Sequence, residues 1–384
     1  MLSREGCLSR LNSLGEACIA QNIDIVLISD PKEILRLANY LPAKFGWLST
    51  RVEQLAFYPG GETYLLCSES LAAAGKSAYV DNIVTYADHD IHSSTDVHME
   101  EALAPLKKAL GAHRGRVRKI GLTCGDAAVA AQEMLDAVFP DAVFIDIGDT
   151  LRDLHRLKDG DELDLIARTC EISGRLYVAA ANAMEPGQKE TDIYAACHAA
   201  YASQIAGWFT LAGDFISGPR TLEMGGPPTE RVLESNDTVI LDLWIEPFGY
   251  WADNARSFVV GGKPSREQRR LHELVIEAME TAESRLVPGT RTADVYDSVC
   301  ESFERAGMLE YFPLHAGHGI GLSPHEAPLF IPGSHDTLEA GMVCTLEPGL
   351  YVPEVGGVRC EDNYYITAEG PKRLTDFDRR MNWR

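Results

Sequence analysis

The sequence predicts an α+β chain of two domains: an α/β layer, then a larger domain built from a duplicated α/β half. Three observations predict this. Over residues 1–150 short apolar strands alternate with helical segments, the pattern of an α/β layer. Farther on, a long helix ending in a Pro-Gly turn occurs twice. Pro186 and Pro288, Gly187 and Gly289, Asp192 and Asp294, and Tyr194 and Tyr296 all match at one constant offset, and several matches in one register imply a duplication. Each copy then runs into strand-rich stretches carrying acids and histidines. At 384 residues the chain also exceeds one ordinary core.

Residues 1–150 form the first domain. Ser3–Gln21 reads as an amphipathic helix and Ile23–Ser29 as an apolar strand followed by Asp30-Pro31. Further strands are expected at Leu55–Tyr58, Thr63–Cys67, Asn82–Tyr86, Lys119–Leu122 and Val143–Ile147, with helices at His98–Leu110 and Asp126–Phe139. No phosphate-binding glycine motif occurs. The stretch Asp88-His89-Asp90-Ile91-His92, with His98 nearby, lacks a regular ligand spacing and reads as a polar surface loop. The charged helical stretch Leu151–Leu163 reads as the linker into the second domain, residues 151–384.

In that domain Asp161–Met184 carries Leu163, Ile166, Cys170, Leu176 and Ala180 at helical spacing, and Ser265–Leu286 repeats the pattern with Leu271, Leu274, Val275 and Ala278. Ser265, after Pro264, is the N-cap candidate of the second helix. Between them lies the central stretch of the chain, Thr238–Gly261. The apolar run Val239–Leu241 ends in Asp242, a turn is built on Pro247, Gly249 and Tyr250, and a second strand leaves through Asp253 to Val260. Two acids on paired strands repel each other unless a cation sits between them, and a divalent metal is the usual answer. A solvated hairpin with acids at its tip is the other reading of this stretch alone.

Composition narrows the function. Against 35 Lys and Arg stand 57 Asp and Glu, a formal charge of −22, which argues against nucleic acid or an anionic membrane as partner through a general basic surface. No apolar run is long enough to span a bilayer, and the first residues lack a secretory apolar core. The nine cysteines are scattered, with no Cys-x-x-Cys pair, which favours reduced thiols and a cytoplasmic location. Cys344 and Cys360, each near an acid considered below, read as small buried hydrophobes.

Four pieces then occur in order: D-L-W-I-E-P-F-G-Y-W-A-D with Asp242 and Asp253; G-H-G-I-G-L-S-P-H-E with His318 and His325; L-E-P-G with Glu347; and V-R-C-E-D with Arg359 and Glu361. With them the chain resembles the metallopeptidase family of aminopeptidase P, prolidase, methionine aminopeptidase and creatinase, the pita-bread fold. The resemblance is strong over Asp161–Thr367 and weaker over a creatinase-like N-terminal domain. It implies that Asp242, Asp253, His318, Glu347 and Glu361 hold two divalent ions, with Asp253 and Glu361 bridging. An oxygen-rich set of four carboxylates and one imidazole favours Mn²⁺, with Fe²⁺, Co²⁺ or Zn²⁺ possible. By the same resemblance a bridging hydroxide attacks an amide carbonyl, Glu347 passes the proton to the leaving nitrogen, His325 binds the oxyanion or the substrate carbonyl, and Arg359 orients the site or the substrate. His315, three before His318, is off the family spacing and takes no role. A homodimer is implied, with the N-terminal domain of one chain bordering the site of the other.

Three positions depart from the family. A histidine about seventeen residues before the first metal aspartate is replaced by Gly225, a small residue two after Asp242 by Trp244, and a threonine two after Asp253 by Ala255. Trp244 and Tyr250 become the candidates for the substrate pocket. The expected function is a dinuclear metal-dependent hydrolase of the Xaa-Pro peptidase type acting on a peptide. The alternative is a small-molecule amide or C–N hydrolase of the ectoine-hydrolase kind, acting on an amidine-like or urea-like bond. A silent binding module is disfavoured by the intact ligand set.

Overall fold

The computed structural model describes residues 1–41, 52–69, 72–87, 98–112, 115–123, 128–206, 209–261, 263–313 and 315–381. The sequence Asp88–His92, read as a polar loop, lies outside them. The chain divides into two units, Met1–His155 and Arg156–Arg384.

In the first unit, α1 (Arg4–Ala20), β1 (Ile25–Ile28), α2 (Pro31–Ala38), β2 (Gln54–Phe57), β3 (Thr63–Ser68), α3 (Ala72–Gly75), β4 (Asn82–Tyr86), α4 (Met99–Gly111), β5 (Lys119–Leu122), α5 (Ala128–Val138), β6 (Val143–Asp146) and α6 (Gly148–His155) follow in order. The six strands form one sheet in the order β4-β3-β2-β1-β5-β6. All of β1 is buried because its alternate side chains enter different cores. Val26 and Ile28 join Leu14 and Ile34 on one face, while Ile25 and Leu27 join Leu106 and Leu135 on the other. Sequence reading did not mark α2. Its start signals are Pro31 in the first turn and Asp30, whose Oδ1 accepts from Lys32 N at 2.9 Å. The charged stretch read as a linker begins within α6, which packs on α1.

The second unit shows the duplication directly. Helices α7 (Gly160–Ala183) and α8 (Glu190–Ala202) lead into a three-stranded sheet of β7 (Leu211–Ser217), β8 (Thr238–Ile245) and β9 (Ala252–Val259). Helices α9 (Arg266–Glu283) and α10 (Thr292–Arg305) lead into β10 (Gly317–Gly319), β11 (Glu326–Phe330), β12 (Val343–Leu346), β13 (Gly349–Val352), β14 (Gly356–Arg359), β15 (Asp362–Thr367) and β16 (Gly370–Arg373). Of these, β13 and β14 form a hairpin and the rest a sheet ordered β11-β10-β12-β15-β16. Ser265 caps α9 as expected: its Oγ accepts from Gln268 N at 3.1 Å, and Gln268 Oε1 accepts from Ser265 N at 2.7 Å.

The two Pro-Gly turns are near copies. Gly187 and Gly289 take φ of 92° and 91°. Their N–H groups donate to Leu233 O at 2.9 Å and Leu338 O at 2.8 Å. A second equivalence lies in the sheets. Gly213 on β7 and Gly317 on β10 both have positive φ, and a Cβ on either would run into the carbonyl of the next strand, that of Asp242 or Thr345. Only glycine permits so close an approach. The residue after each glycine, Asp214 or His318, is thereby set against the neighbouring strand.

Strand β9 and the segment 359–363 lace the halves together. Glu361 N donates to Ala255 O at 2.9 Å, Arg256 Nη1 to Glu361 O at 2.6 Å, and Arg359 N to Ser257 Oγ at 2.9 Å. Arg256 Nη2 meets Asp362 Oδ1 at 2.6 Å, both residues being buried. Losing Arg256 would leave Asp362 with Arg379 on Oδ2 at 2.6 Å but would strip the buried carbonyls of Glu361 and Phe377 of their donor. Arg256→Met is therefore expected to cost roughly 2–4 kcal/mol, read from urea unfolding.

Candidate metal centre

The register of the first half's sheet fixes where its acids point. Across β8 and β9, Asp242 pairs with Ala255 and Trp244 with Asp253. The two acids therefore share one face as diagonal neighbours rather than as a directly opposed pair. Both are buried, as are His318, Glu347 and Glu361. Glu347 follows β12 and Glu361 sits between β14 and β15, so both halves supply acids to one place. Three overlapping groups have potential ligand atoms within 4.8 Å of one another: Asp242, Asp253 and Glu361; His318, Glu347 and Glu361; and Asp253, His318 and His325.

His318 is oriented for ligation. Its Nδ1 lies 3.0 Å from Gly319 O, which can only accept, so Nδ1 carries the proton and Nε2 faces the acids. Nε2 lies 3.3 Å from Glu347 Oε1 and 3.8 Å from Asp253 Oδ2. The imidazole of His325 stacks on that of His318 with centroids 3.7 Å apart. Burial and then the neighbouring His318 push the pKa of His325 down to about 4, so it is neutral at pH 7.

Electrostatically the cluster calls for cations. Burial, then repulsion from Asp242, raises Asp253 well above the carboxylate range, and burial with repulsion from Asp253 does the same to Glu361. Asp242 is pushed up to about 6 by burial, with Arg359 pulling it down. On Glu347, burial works upward but the hydrogen bond and charge of His318 prevail, leaving it below its ordinary value. Asp253 Oδ1 and both carboxylate oxygens of Glu361 are buried and make no hydrogen bond. Buried acceptors of this kind without donors are costly. Four acids and one imidazole arranged in this way fit divalent ions with oxygen-rich coordination.

The remaining sequence candidates separate. Trp244 is half-buried and donates Nε1–H to Asp242 Oδ1 at 2.9 Å. Arg359 Nη2 lies 3.0 Å from Asp242 Oδ2 and also pairs with Asp214 Oδ2, and Nη1 donates to Met224 O at 3.1 Å. Tyr250, a pocket candidate by sequence, is instead fully buried, with its hydroxyl donating to Glu162 Oε1 of α7 at 2.8 Å. Cys344 and Cys360 are buried thiols that burial pushes up to about 12 and about 11.

Of two further neighbours, sequence reading set one aside and missed the other. His315 Nδ1 lies 3.3 Å from Glu347 Oε1, and its ring centroid is 5.7 Å from that of His318. Its signal was proximity alone. Asp214 interrupts an otherwise apolar strand, the one sign that its carboxylate has a buried partner.

Comparison with known proteins gives the family and the fold. Residues 164–368 match the family model of Metallopeptidase family M24, and residues 10–155 that of the Creatinase/Prolidase N-terminal domain. The Xaa-Pro dipeptidase of Pyrococcus furiosus is 36% identical over 241 residues, which are 62% of this chain and 68% of that protein. The prolidase structure from Pyrococcus horikoshii superposes with a TM-score of 0.80 at 26% identity, covering 97% of this chain and all of that one. The fold is also shared with the Xaa-Pro dipeptidase structure from Bacillus anthracis, with a TM-score of 0.82 at 24% identity, covering 98% of this chain and 99% of that one. No helix among the described residues is long and apolar enough to cross a membrane. The chain belongs to metallopeptidase family M24 and is a metal-dependent hydrolase of that family.

Proposed function

We propose that this protein is a dinuclear peptidase that hydrolyses the bond between an N-terminal residue and proline, with Mn²⁺ as the favoured metal. The observation that carries the reading is the meeting of Asp242, Asp253, His318, Glu347 and Glu361 from both halves in overlapping ligand groups. The Xaa-Pro dipeptidases among its relatives supply the substrate class. Asp242, Asp253, His318, Glu347 and Glu361 would together hold the ions; Asp253, His318 and Glu361 each stand in two of the groups. When bound, the ions supply Lewis acidity toward the scissile carbonyl and lower the pKa of water.

The chain's own residues do the rest. Glu347 is held ionised by His318, so it is able to accept a proton and return it to the leaving nitrogen. Neutral His325 offers an N–H to the oxygen on which negative charge develops. Arg359, engaged on Asp242, Asp214 and Met224 O, orients a ligand rather than a substrate carboxylate. The residue 151–384 segment is the catalytic domain in this reading and residues 1–150 precede it. The eight cysteines among the described residues are free, which supports a reducing, cytoplasmic setting, and the reading includes a homodimer.

One specific observation favours the alternative of a small C–N substrate. A Cβ at Gly225 would stand 2.9 Å from Asp214 Oδ1, and the half-buried Trp244 ring lies against Asp242, so the surround differs from the family pattern at two points. Metal analysis and a substrate panel separate the readings. The protein is incubated with Mn²⁺ and offered Xaa-Pro dipeptides, Xaa-Pro-Xaa peptides, cyclic amidines and ureas. Two equivalents of metal per chain and cleavage of a proline peptide are expected. Turnover of an amidine or urea with every peptide untouched would reject the peptidase reading, and light scattering of a monomer would reject the dimer.

A further inference from the structure

We propose that Asp214 is a positioning residue of the metal centre: it holds Arg359 against Asp242 and so fixes that carboxylate before a metal arrives. The proposal rests on the reading of Asp242 as a ligand, and it concerns a residue that no motif of the chain singles out.

Four side chains form a line. Asp214 Oδ2 pairs with Arg359 Nη2, the same Nη2 lies 3.0 Å from Asp242 Oδ2, and Asp242 Oδ1 accepts from Trp244 Nε1 at 2.9 Å. Both oxygens of Asp242 are thus oriented by donors of the chain. Asp214 is itself pinned: its Oδ1 accepts from Gly226 N at 2.8 Å, and it stands directly opposite Asp242 across β7 and β8. The segment around Gly225 closes over the pair through Met224 O on Arg359 Nη1. Asp214 also takes the space at position 225, where a Cβ would approach its two oxygens to 2.9 and 3.1 Å. Glycine at 225 and aspartate at 214 are therefore one steric solution.

The duplication gives the position its meaning. Gly213 and Gly317 press equivalently against the next strand, so Asp214 occupies in the first half the place that His318 holds in the second. There the histidine faces the acids; here the carboxylate faces a guanidinium that touches one of them. Its charge also offsets that of Arg359. Without it, a buried cation engaged with Asp242 alone would compete with a metal for Oδ2 and repel it. Partners that orient a ligand in this way commonly contribute 10–100-fold to metal affinity.

The test is calorimetric titration of metal-free protein with Mn²⁺, beside kinetics on the best substrate. Asp214→Asn keeps the shape and removes the charge. It is expected to retain both binding events but weaken one by about 10-fold or more, leave the other unchanged, and lower kcat more than it raises KM. A merely structural role would lower the melting temperature without splitting the two events. Should Asp214→Asn fold poorly, Gly225→Ala asks the same question, because its Cβ would displace the Asp214 carboxylate. The same single event should weaken. Asp242→Asn is the control: loss of one binding event upholds the ligand reading, and retention of both removes that reading and the proposal with it. With the control as expected, wild-type affinities at both events in Asp214→Asn and Gly225→Ala would overturn the proposal alone.

Discussion

Asp253→Ala is expected to remove both turnover and most of the bound metal while leaving the protein folded. Asp253 stands in two of the three ligand groups, so its loss disturbs more of the ligand set than the loss of Asp242, which stands in one. The substitution also removes a carboxylate whose ionisation the fold opposes, because burial and Asp242 already raise its pKa. In metal-free buffer the variant should therefore be no less stable than the wild type, and in Mn²⁺ it should fail to gain the stability that the wild type gains. Metal analysis and thermal melts with and without Mn²⁺ read this out. Near-wild-type turnover, or two retained equivalents of metal, would end the reading of Asp253 as a ligand.

Metal removal itself should produce the second large effect, and its sign follows from the raised carboxyls. A carboxyl group whose pKa is higher in the folded chain than in the unfolded one binds its proton more tightly when folded. The stability it contributes is present below the ordinary carboxylate range and is lost as pH rises through the folded value. For Asp242 that value is about 6, and Asp253 and Glu361 lie well above their ordinary range. Metal-free protein should thus melt at progressively lower temperature from pH 5 to pH 8. Saturating Mn²⁺ should reverse the trend, because ions compete with protons for the same oxygens and bind better as pH rises. At a thousand times the dissociation constant the gain is about 4 kcal/mol, on the order of 10 °C for a unit of this size. Calorimetry across this pH range with EDTA or Mn²⁺ checks both arms. A chelated protein whose melting temperature rises toward pH 8 would contradict the geometry of the cluster.

Much of this arrangement was readable before any coordinates. The hairpin was visible because Val239–Leu241 and Phe258–Val260 are apolar runs around a Pro and Gly turn, and the duplication because Pro-Gly turns recur at one offset. Asp242 and Asp253 stood out as acids on paired strands, which repel unless a cation lies between them, while His318, Glu347 and Glu361 were read from the family resemblance of the pieces that hold them. What escaped depends on register and on distant chain segments. Whether Asp214 faces Asp242 is decided by how β7 aligns with β8, and strand pairing leaves no mark in local composition. Tyr250, in the turn between the two acids, was a candidate for the substrate pocket, yet Glu162, on a helix far away in sequence, accepts from its buried hydroxyl. Helix α2 spans only Pro31–Ala38, too short for a periodicity to declare itself.

The lacing of β9 to residues 359–363 bears on how a substrate gets in. Arg256 has hydrogen bonds to Glu361 O, Asp362 and Phe377 O, all beneath the cluster and out of reach of water. Prising the halves apart would expose that guanidinium's buried partners and break the ligand set in one movement, so a clamshell opening is energetically closed. Of the cluster's neighbours, His325 is exposed and Trp244 half-buried, so these two rings are what solvent reaches above a floor that does not yield.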